Sequence, residues 1–463
     1  MLASAANIAG QFASIDWRVG RVIRPAHLSL YATLALAAVV PQAASAAVAP
    51  AAATQAIRDE TLDSFYAARG NRPLWLGDFG GSGEAPQVLI DLLRSARADG
   101  LDPDHYRPRN LDRAVRAARS DNPEDITRAD RMLSQAFVAY IRDQKRTPKV
   151  EMIWVDAQLR PSAPSPRRLL ESAAAASSLE NFLTDMPWMN PIYAGLRKAL
   201  ANGADNSRME RDLLRLNLER ARALPAATGK YVIVNATAAQ LTMYEDGQIV
   251  DSMRVVVGRP VHSTPMMAAL IRFTSLNPYW NVPADLAAER IAPNVVNSGN
   301  AYLKANGYQL LSSWDANAKV ISPDTVDWAA VAAGRIEVRL RQLPGPTNSM
   351  GKMKFMFPNA QGIYLHDTPQ KELLGEASRM FSGGCVRLED APRLAKWLYG
   401  GEAPTTKSAR PEQRVDLPKP VQVFLTYLTA MPNGGDVAYL PDVYNRDRAA
   451  LATLDGERTL ASR

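Results

Sequence analysis

The single cysteine of this 463-residue chain, Cys385, stands in the run Ser382-Gly383-Gly384-Cys385, downstream of His366, one of only four histidines. A thiol attacks a carbonyl only as the thiolate. A neighbouring imidazole supplies that form, either by taking the proton or by pairing with the thiolate as imidazolium. Gly383 and Gly384 let the backbone turn sharply, so that N–H groups near Cys385 can face a developing oxyanion; an ordinary turn is the plainer reading of the same pair. The plainer reading of the thiol is a small buried core residue. Arg387 can hold a substrate carboxylate bidentately or form an ion pair with Glu389 or Asp390. Ser382, Tyr364 and Trp280 are candidates to line a substrate groove, with core packing as the alternative for the two aromatic residues. The group that orients His366 is open between the adjacent Asp367, expected on the opposite face, and a backbone carbonyl. His105, His262 and His366 are scattered without the paired spacing of metal ligands, so no metal is expected.

The N-terminus decides between the readings of the thiol. Arg18, Arg21 and Arg24 precede the apolar run Leu28 to Val40, then Pro41 and Ala44-Ser45-Ala46. This is the order of a secretory signal, residues 1–46, with cleavage near Ala46; a retained anchor is the alternative. The apolar run is too short to span a bilayer, which takes roughly 20 residues, and no second run is longer. The expectation is a periplasmic protein without a membrane span after cleavage. A lone thiol in an exported chain cannot close an internal disulfide, so a chemical use for it becomes the better reading. The chain is 47% hydrophobic and 22% charged, with net charge +7. The charge is spread out, without a block of like charges, and does not point to nucleic acid.

Two halves follow the leader. From 47 to 225 the patterns are helical. One stripe carries Val88, Leu89, Leu92, Leu93 and Ala96 with Gly100 as a stop; a second carries Leu133, Phe137, Tyr140 and Ile141; a third carries Met209, Leu213, Leu216 and Leu224, closed by Pro225. The run Gly80 to Gly83 lacks the Lys-Ser/Thr of a phosphate loop and reads as a linker. From Gly229 the pattern turns to β, with period-2 alternation and Asp246-Gly247 as a two-residue hairpin turn. Strands are expected in "AALIRFTSL", "RIEVRLRQ", "GIYLHD" and "VQVFLTYLTA". Residues 283–328 interrupt them with helix and loop, a connection far longer than strands need, and read as an inserted lid.

The β half resembles the catalytic domain of peptidoglycan L,D-transpeptidases, in their large periplasmic branch. The likeness rests on "NLERARALP", "VVVGRPVHSTP", "NPYWNVP", "RQLPGPTNSMGKMKFMFPN", "YLHDTP", "SGGCVRLE" and "LTYLTA". Upstream, "FYAARGNRPLWL" and "ADGLDPDHY" are similar to that branch's helical scaffold. The resemblance implies an α+β chain: a scaffold domain at 47–225, without a separate peptidoglycan-binding module, a mainly-β catalytic domain at 226–446 with its lid, and a tail at 447–463. It places the family histidine on His366, the nucleophile on Cys385 and the following arginine on Arg387. Many members read Ser-His-Gly-Cys where this chain has Gly383, so a second imidazole is missing. The implied activity is transfer of a tetrapeptide donor stem through a cysteinyl thioester to an acceptor amine, giving a 3–3 cross-link, without a cofactor. Implied partners are peptidoglycan stems, with carbapenems as covalent inhibitors. Two alternatives stand beside it: an L,D-carboxypeptidase that lets water resolve the thioester, and a wall-binding protein without chemistry.

Overall fold

A computed structural model describes residues 62–77, 83–120, 122–203, 207–406 and 408–461, with side chains to 454. The leader 1–46 and most of the Gly80–Gly83 run lie outside the described residues.

The first half is helical because its apolar residues recur at helical spacing and its turns are capped. Pro123–Gln144 starts at Asn122, whose side chain accepts from the Glu124 N–H. Arg208–Ala221 starts with a Ser207/Glu210 capping box. Of the stripe expected from spacing, Leu216 and Leu224 are buried and Leu213 partly so, but Met209 is 73% exposed; Leu214, Leu218 and Ala221 are covered as well. The helix packs its C-terminal half under the catalytic domain, so its first turn remains in solvent. Two buried carboxylates tie the helices together. Asp130 accepts the backbone N–H groups of Leu74, Trp75 and Leu76 and the Tyr66 hydroxyl. Asp99 accepts from Tyr140, Tyr193, Gln144 and Arg197. Arg222, 1% exposed, donates to the Asp99 carbonyl at 2.8 Å.

The strands are, in chain order, β1 (Ile153–Trp154), β2 (Lys230–Asn235), β3 (Gln240–Glu245), β4 (Gln248–Gly258), β5 (Met267–Leu276), β6 (Trp280–Val282), β7 (Tyr308–Leu311), β8 (Val320–Ile321), β9 (Arg339–Gln342), β10 (Met353–Met356), β11 (Leu365–His366), β12 (Met380–Ser382), β13 (Val386–Leu388) and β14 (Gln413–Thr426). The main sheet runs β1-β5-β10-β11-β13-β4-β3-β2-β14, with β12 beside β4, and β14 pairs with β5 as well as β2. The path therefore closes on itself. Both faces of β2 are covered, which is why "KYVIVN" reads as an almost continuous apolar run. Val232 and Val234 join the core inside the ring; Tyr231 and Ile233 join the scaffold core outside it.

The stretch expected to be a strand only after Pro420 begins earlier, at Gln413. Pro418 and Pro420 sit where the β14–β5 register shifts between Asp416 and Val421, since a bulge spares the ladder the missing N–H groups. The insert is more than helix. It holds Ala284–Leu286, a π-helical segment Ala287–Ile291, Ala292–Ser298, Ala301–Ala305 and Trp328–Ala332, together with a sheet ordered β6-β9-β7-β8. Its core includes Leu286, Ile291, Val295, Leu310, Trp328, Val338 and Leu340, so the unit packs past the expected limit at residue 328. The stretch 447–463, expected as a tail, forms a helix, Asp447–Ala461; Arg220 fixes its start through a 2.6 Å ion pair with Asp447. Among the described residues no helix is long and apolar enough to cross a membrane.

Candidate active site

β11 and β13 run parallel, with Leu365 opposite Val386 and His366 opposite Arg387. β10 lies on the other side of β11, with Lys354 opposite His366. Leu365, Val386, Leu388 and Phe355 point into the core of the ring. Side chains alternate along a strand, so Lys354, His366 and Arg387 form a row on the outer face, and Tyr364 and Cys385 stand one step back on that face. The Val386 N–H donates to the Tyr364 carbonyl at 2.9 Å, which locks Cys385 beside Tyr364. The register thus puts His366, on β11, and Cys385, just before β13, on one face.

The turn before Cys385 is fixed from several sides. Gly384 has φ +110°, a conformation that only glycine adopts freely. Gly383 has no such backbone constraint; a Cβ there would lie 2.7 Å from Leu286 Cδ1, the end of a side chain on the insert, which would have to shift. Thr264 receives the Gly258 N–H and donates its own hydroxyl to the Gly384 carbonyl at 2.8 Å. Ser382 was expected to face substrate. Its side chain is instead turned inward and 2% exposed, donating to the Cys385 carbonyl at 2.5 Å and accepting the Gly384 N–H at 3.1 Å. The Gly384 N–H is thus taken by Ser382 and is not itself open to an oxyanion.

The His366 ring is 2% exposed. Its Nδ1 lies 2.6 Å from the Asp367 backbone carbonyl. A carbonyl only accepts, so Nδ1 carries the proton and Nε2 keeps a free lone pair. The Asp367 carboxylate serves elsewhere, accepting the Lys352 N–H and the Lys371 ammonium. Burial, helped by the Arg387 cation, holds the imidazole down at about 3, so at neutral pH it is uncharged. The half-buried Cys385 thiol donates weakly to the Gly362 carbonyl, with Sγ 3.5 Å away. Burial pushes the thiol up; the Tyr364 backbone and the Arg387 and Lys354 charges offset this only in part. The resting pair is a neutral thiol and a neutral imidazole, which favours proton transfer over a standing ion pair.

Arg387 is 8% exposed. It pairs with neither Glu389 nor Asp390, which hold Arg254 and Arg393; its Nη1 donates to Gln370 at 2.7 Å. Tyr364 is half-buried with the Lys354 ammonium 5.8 Å from its ring centre. Trp280 sits on β6 opposite Gln342, packed at the margin of the insert's core. Three participants had no sequence signal of their own. Lys354 belongs to a quoted motif but is singled out only by its register with His366. Glu412, which binds Lys354 at 3.0 Å and the Tyr279 N–H, and Arg290, on the insert, come from distant segments. Among the described residues no group of His, Cys, Asp and Glu is placed to hold a metal ion.

Residues 60–200 match the scaffold domain family. Residues 229–422 match the L,D-transpeptidase catalytic domain family. A Haemophilus influenzae protein with a provisional L,D-transpeptidase name is 30% identical over 285 residues, 60% of this chain and 57% of that one. The chain thus spans little more than half the length of this relative. Solved structures with similarity include an L,D-transpeptidase from Mycobacterium smegmatis, 13% identical over 44% of this chain and 63% of that one, TM-score 0.20. An Enterococcus faecium L,D-transpeptidase mutant is 9% identical over 44% and 53%, TM-score 0.20. A third L,D-transpeptidase, solved in complex with imipenem, is 10% identical over 43% and 59%, TM-score 0.20.

Proposed function

The chain carries an L,D-transpeptidase catalytic domain behind a scaffold domain, and from that premise we propose that it forms 3–3 peptidoglycan cross-links through a thioester on Cys385. The observation that carries this reading is the register of β11 with β13, which sets His366 and Cys385, the residue just before β13, on one sheet face, with His366 Nδ1 bound to a carbonyl and Nε2 left as the basic nitrogen.

In the first step His366 Nε2 takes the thiol proton as Sγ bonds to the L-centre carbonyl carbon of meso-diaminopimelate in a donor tetrapeptide. The tetrahedral adduct collapses, the carbon–nitrogen bond breaks, and the imidazolium returns its proton to the leaving amine of D-alanine. The thioester is then attacked by the side-chain amine of an acceptor diaminopimelate. His366 accepts a proton from that amine and gives it to the departing sulfur. No cofactor enters this balance. The insert stands over the turn that bears Cys385, with Leu286 against Gly383, a position suited to excluding water from the thioester. The basic, apolar, small-residue order of residues 1–46 supports action in the periplasm.

The test is intact-mass and product analysis of the full chain with purified tetrapeptide stems. A Cys385-linked acyl-enzyme followed by stem dimer is the expected result. Tripeptide without dimer would make the protein an L,D-carboxypeptidase. No acylation by stems or by a carbapenem would leave a wall-binding protein without chemistry.

A further inference from the structure

The insert meets the nucleophile turn at two residues one helical turn apart. Leu286 packs on Gly383, and Arg290 Nη2 donates to the Phe381 carbonyl at 3.0 Å. Between them the chain is π-helical, Ala287–Ile291. Such segments re-aim side chains and are frequent at functional sites. Here the adjacent Glu289 is engaged elsewhere: it accepts both Arg259 Nη groups and lies 3.2 Å from His262 Nε2. Glu289 therefore forms no direct ion pair with Arg290 and favours its charge only from a distance.

Arg387 is in the same situation on the sheet side. It flanks His366 in register, and its bond is to the uncharged Gln370. Among the described residues neither Arg290 nor Arg387 has a carboxylate within 4.0 Å, whereas nearby Arg254, Arg259 and Arg393 all do. Arg290 is the foremost charge acting against the Arg387 cation, which burial and this repulsion hold at about 10; burial likewise lowers Arg290. A buried Arg387 and a half-buried Arg290, with Glu372 and Glu289 acting only from beyond ion-pair distance, make a receptor for an anion.

We propose that Arg290 and Arg387 form a carboxylate subsite, closed between insert and sheet, that reads the free α-carboxylate of the D-alanine to be expelled. The proposal rests on the function above. Arg387 lies two residues beyond Cys385 on the same face, about 6–7 Å along the strand, and the leaving residue carries its carboxylate one carbon beyond the scissile nitrogen. A donor extended or blocked at that end would lose the interaction, so the subsite selects stems that end in one D-residue. Arg290 then determines specificity while standing on the insert, outside the proton-transfer pair.

The experiment separates binding from chemistry by using the full chain with Cys385→Ala. Calorimetry measures its affinity for a tetrapeptide stem with a free C-terminal carboxylate and for the same stem as the C-terminal amide. The free acid should bind about tenfold tighter or more, as expected for charge-assisted bonds lost in the amide. Adding Arg290→Gln should bring the two affinities together by weakening the acid alone, and Arg290→Lys should restore part of the difference. The inference is overturned by equal affinities without the Arg290 change, by a loss that falls equally on acid and amide, or by no binding of either stem. Acylation of the unmutated chain by the free-acid stem is read in parallel. Discrimination in binding without acylation would reject the thioester reaction and keep the subsite; acylation without discrimination would do the reverse.

Discussion

At the scale of single residues, the neutral state of the thiol–imidazole pair has measurable consequences. Cys385→Ala should abolish turnover by several orders of magnitude while circular dichroism shows the fold intact. Alkylation of Cys385 by iodoacetamide should rise with pH through neutrality and beyond pH 9, because burial holds the thiol above its ordinary range; a plateau reached below pH 7 would show a standing thiolate–imidazolium pair. His366 also links pH to stability. Its folded value of about 3 lies below the ordinary 6.5, so between these two limits the unfolded chain binds a proton that the folded chain refuses. Stability is then fully present above pH 6.5 and falls as pH falls toward 3, by up to about 1.4 kcal/mol per pH unit. Urea unfolding between pH 7 and 4.5 should show this loss in the unmutated chain and a shallower one in His366→Gln. His366 and Cys385 were legible in the sequence because a lone thiol in a Gly-Gly turn, downstream of a histidine, is uncommon enough to stand out. Ser382, Lys354 and Glu412 were not. Direction of a hydroxyl, strand register and the return of a distant loop decide their roles, and none of these is written in local spacing.

At the scale of elements, the Cys385 turn and the insert act on each other through Leu286 and Gly383. Gly383→Ala should slow acylation of Cys385 by a carbapenem, because a Cβ would meet Leu286 at 2.7 Å. Leu286→Ala should relieve part of that defect, with a coupling energy of about 0.5–3 kcal/mol in a double-mutant cycle. Full additivity would show that the crowding is absorbed elsewhere. The boundaries of the insert matter for removing it. A deletion ending near residue 324 would expose Trp328, Val331 and Val338, which belong to its core. Val282 stands opposite Leu340 across β6 and β9, so replacing 283–339 by a two-residue turn leaves a hairpin that can close. That shortened protein should still be acylated by a carbapenem, and its products should shift from stem dimer toward tripeptide. An unchanged dimer fraction would remove the insert from control of the acceptor. The insert's presence was readable from its length between two motifs. Its small sheet was not, since β7 and β8 are too short to show a period.

At the scale of the whole molecule, the scaffold and the catalytic domain share a core. Tyr231, Ile233, Ala268 and Phe424 of the sheet lie in one apolar cluster with Leu133, Phe137, Leu214 and Leu218 of the helices. Under that cluster Asp99 gathers Tyr140, Tyr193 and Arg197, and its backbone carbonyl receives Arg222. Asp99→Ala leaves the Arg197 cation buried and unpaired, and should cost about 3–5 kcal/mol, read as a large fall in thermal midpoint. The helical first half and the β second half were evident from a change of period at Gly229. Their joint was only half legible, because the nearly continuous apolar run of β2 marks a strand covered on both faces without saying what covers the second one. The closure of the sheet also sets an order of events during synthesis. Asn235, at the end of β2, bonds the Leu428 carbonyl 193 positions later, and both β2 and β5 pair with β14. Until a ribosome has passed Thr426 these two strands lack their β14 partner, though β2 has β3 and β5 has β10, while the scaffold helices through Ala221 already exist as a surface on which Tyr231 and Ile233 can settle. A nascent chain stalled ahead of Gln413 carries two open strand edges at once, so the helical half serves as a shelter that the barrel outgrows only when its last strand arrives.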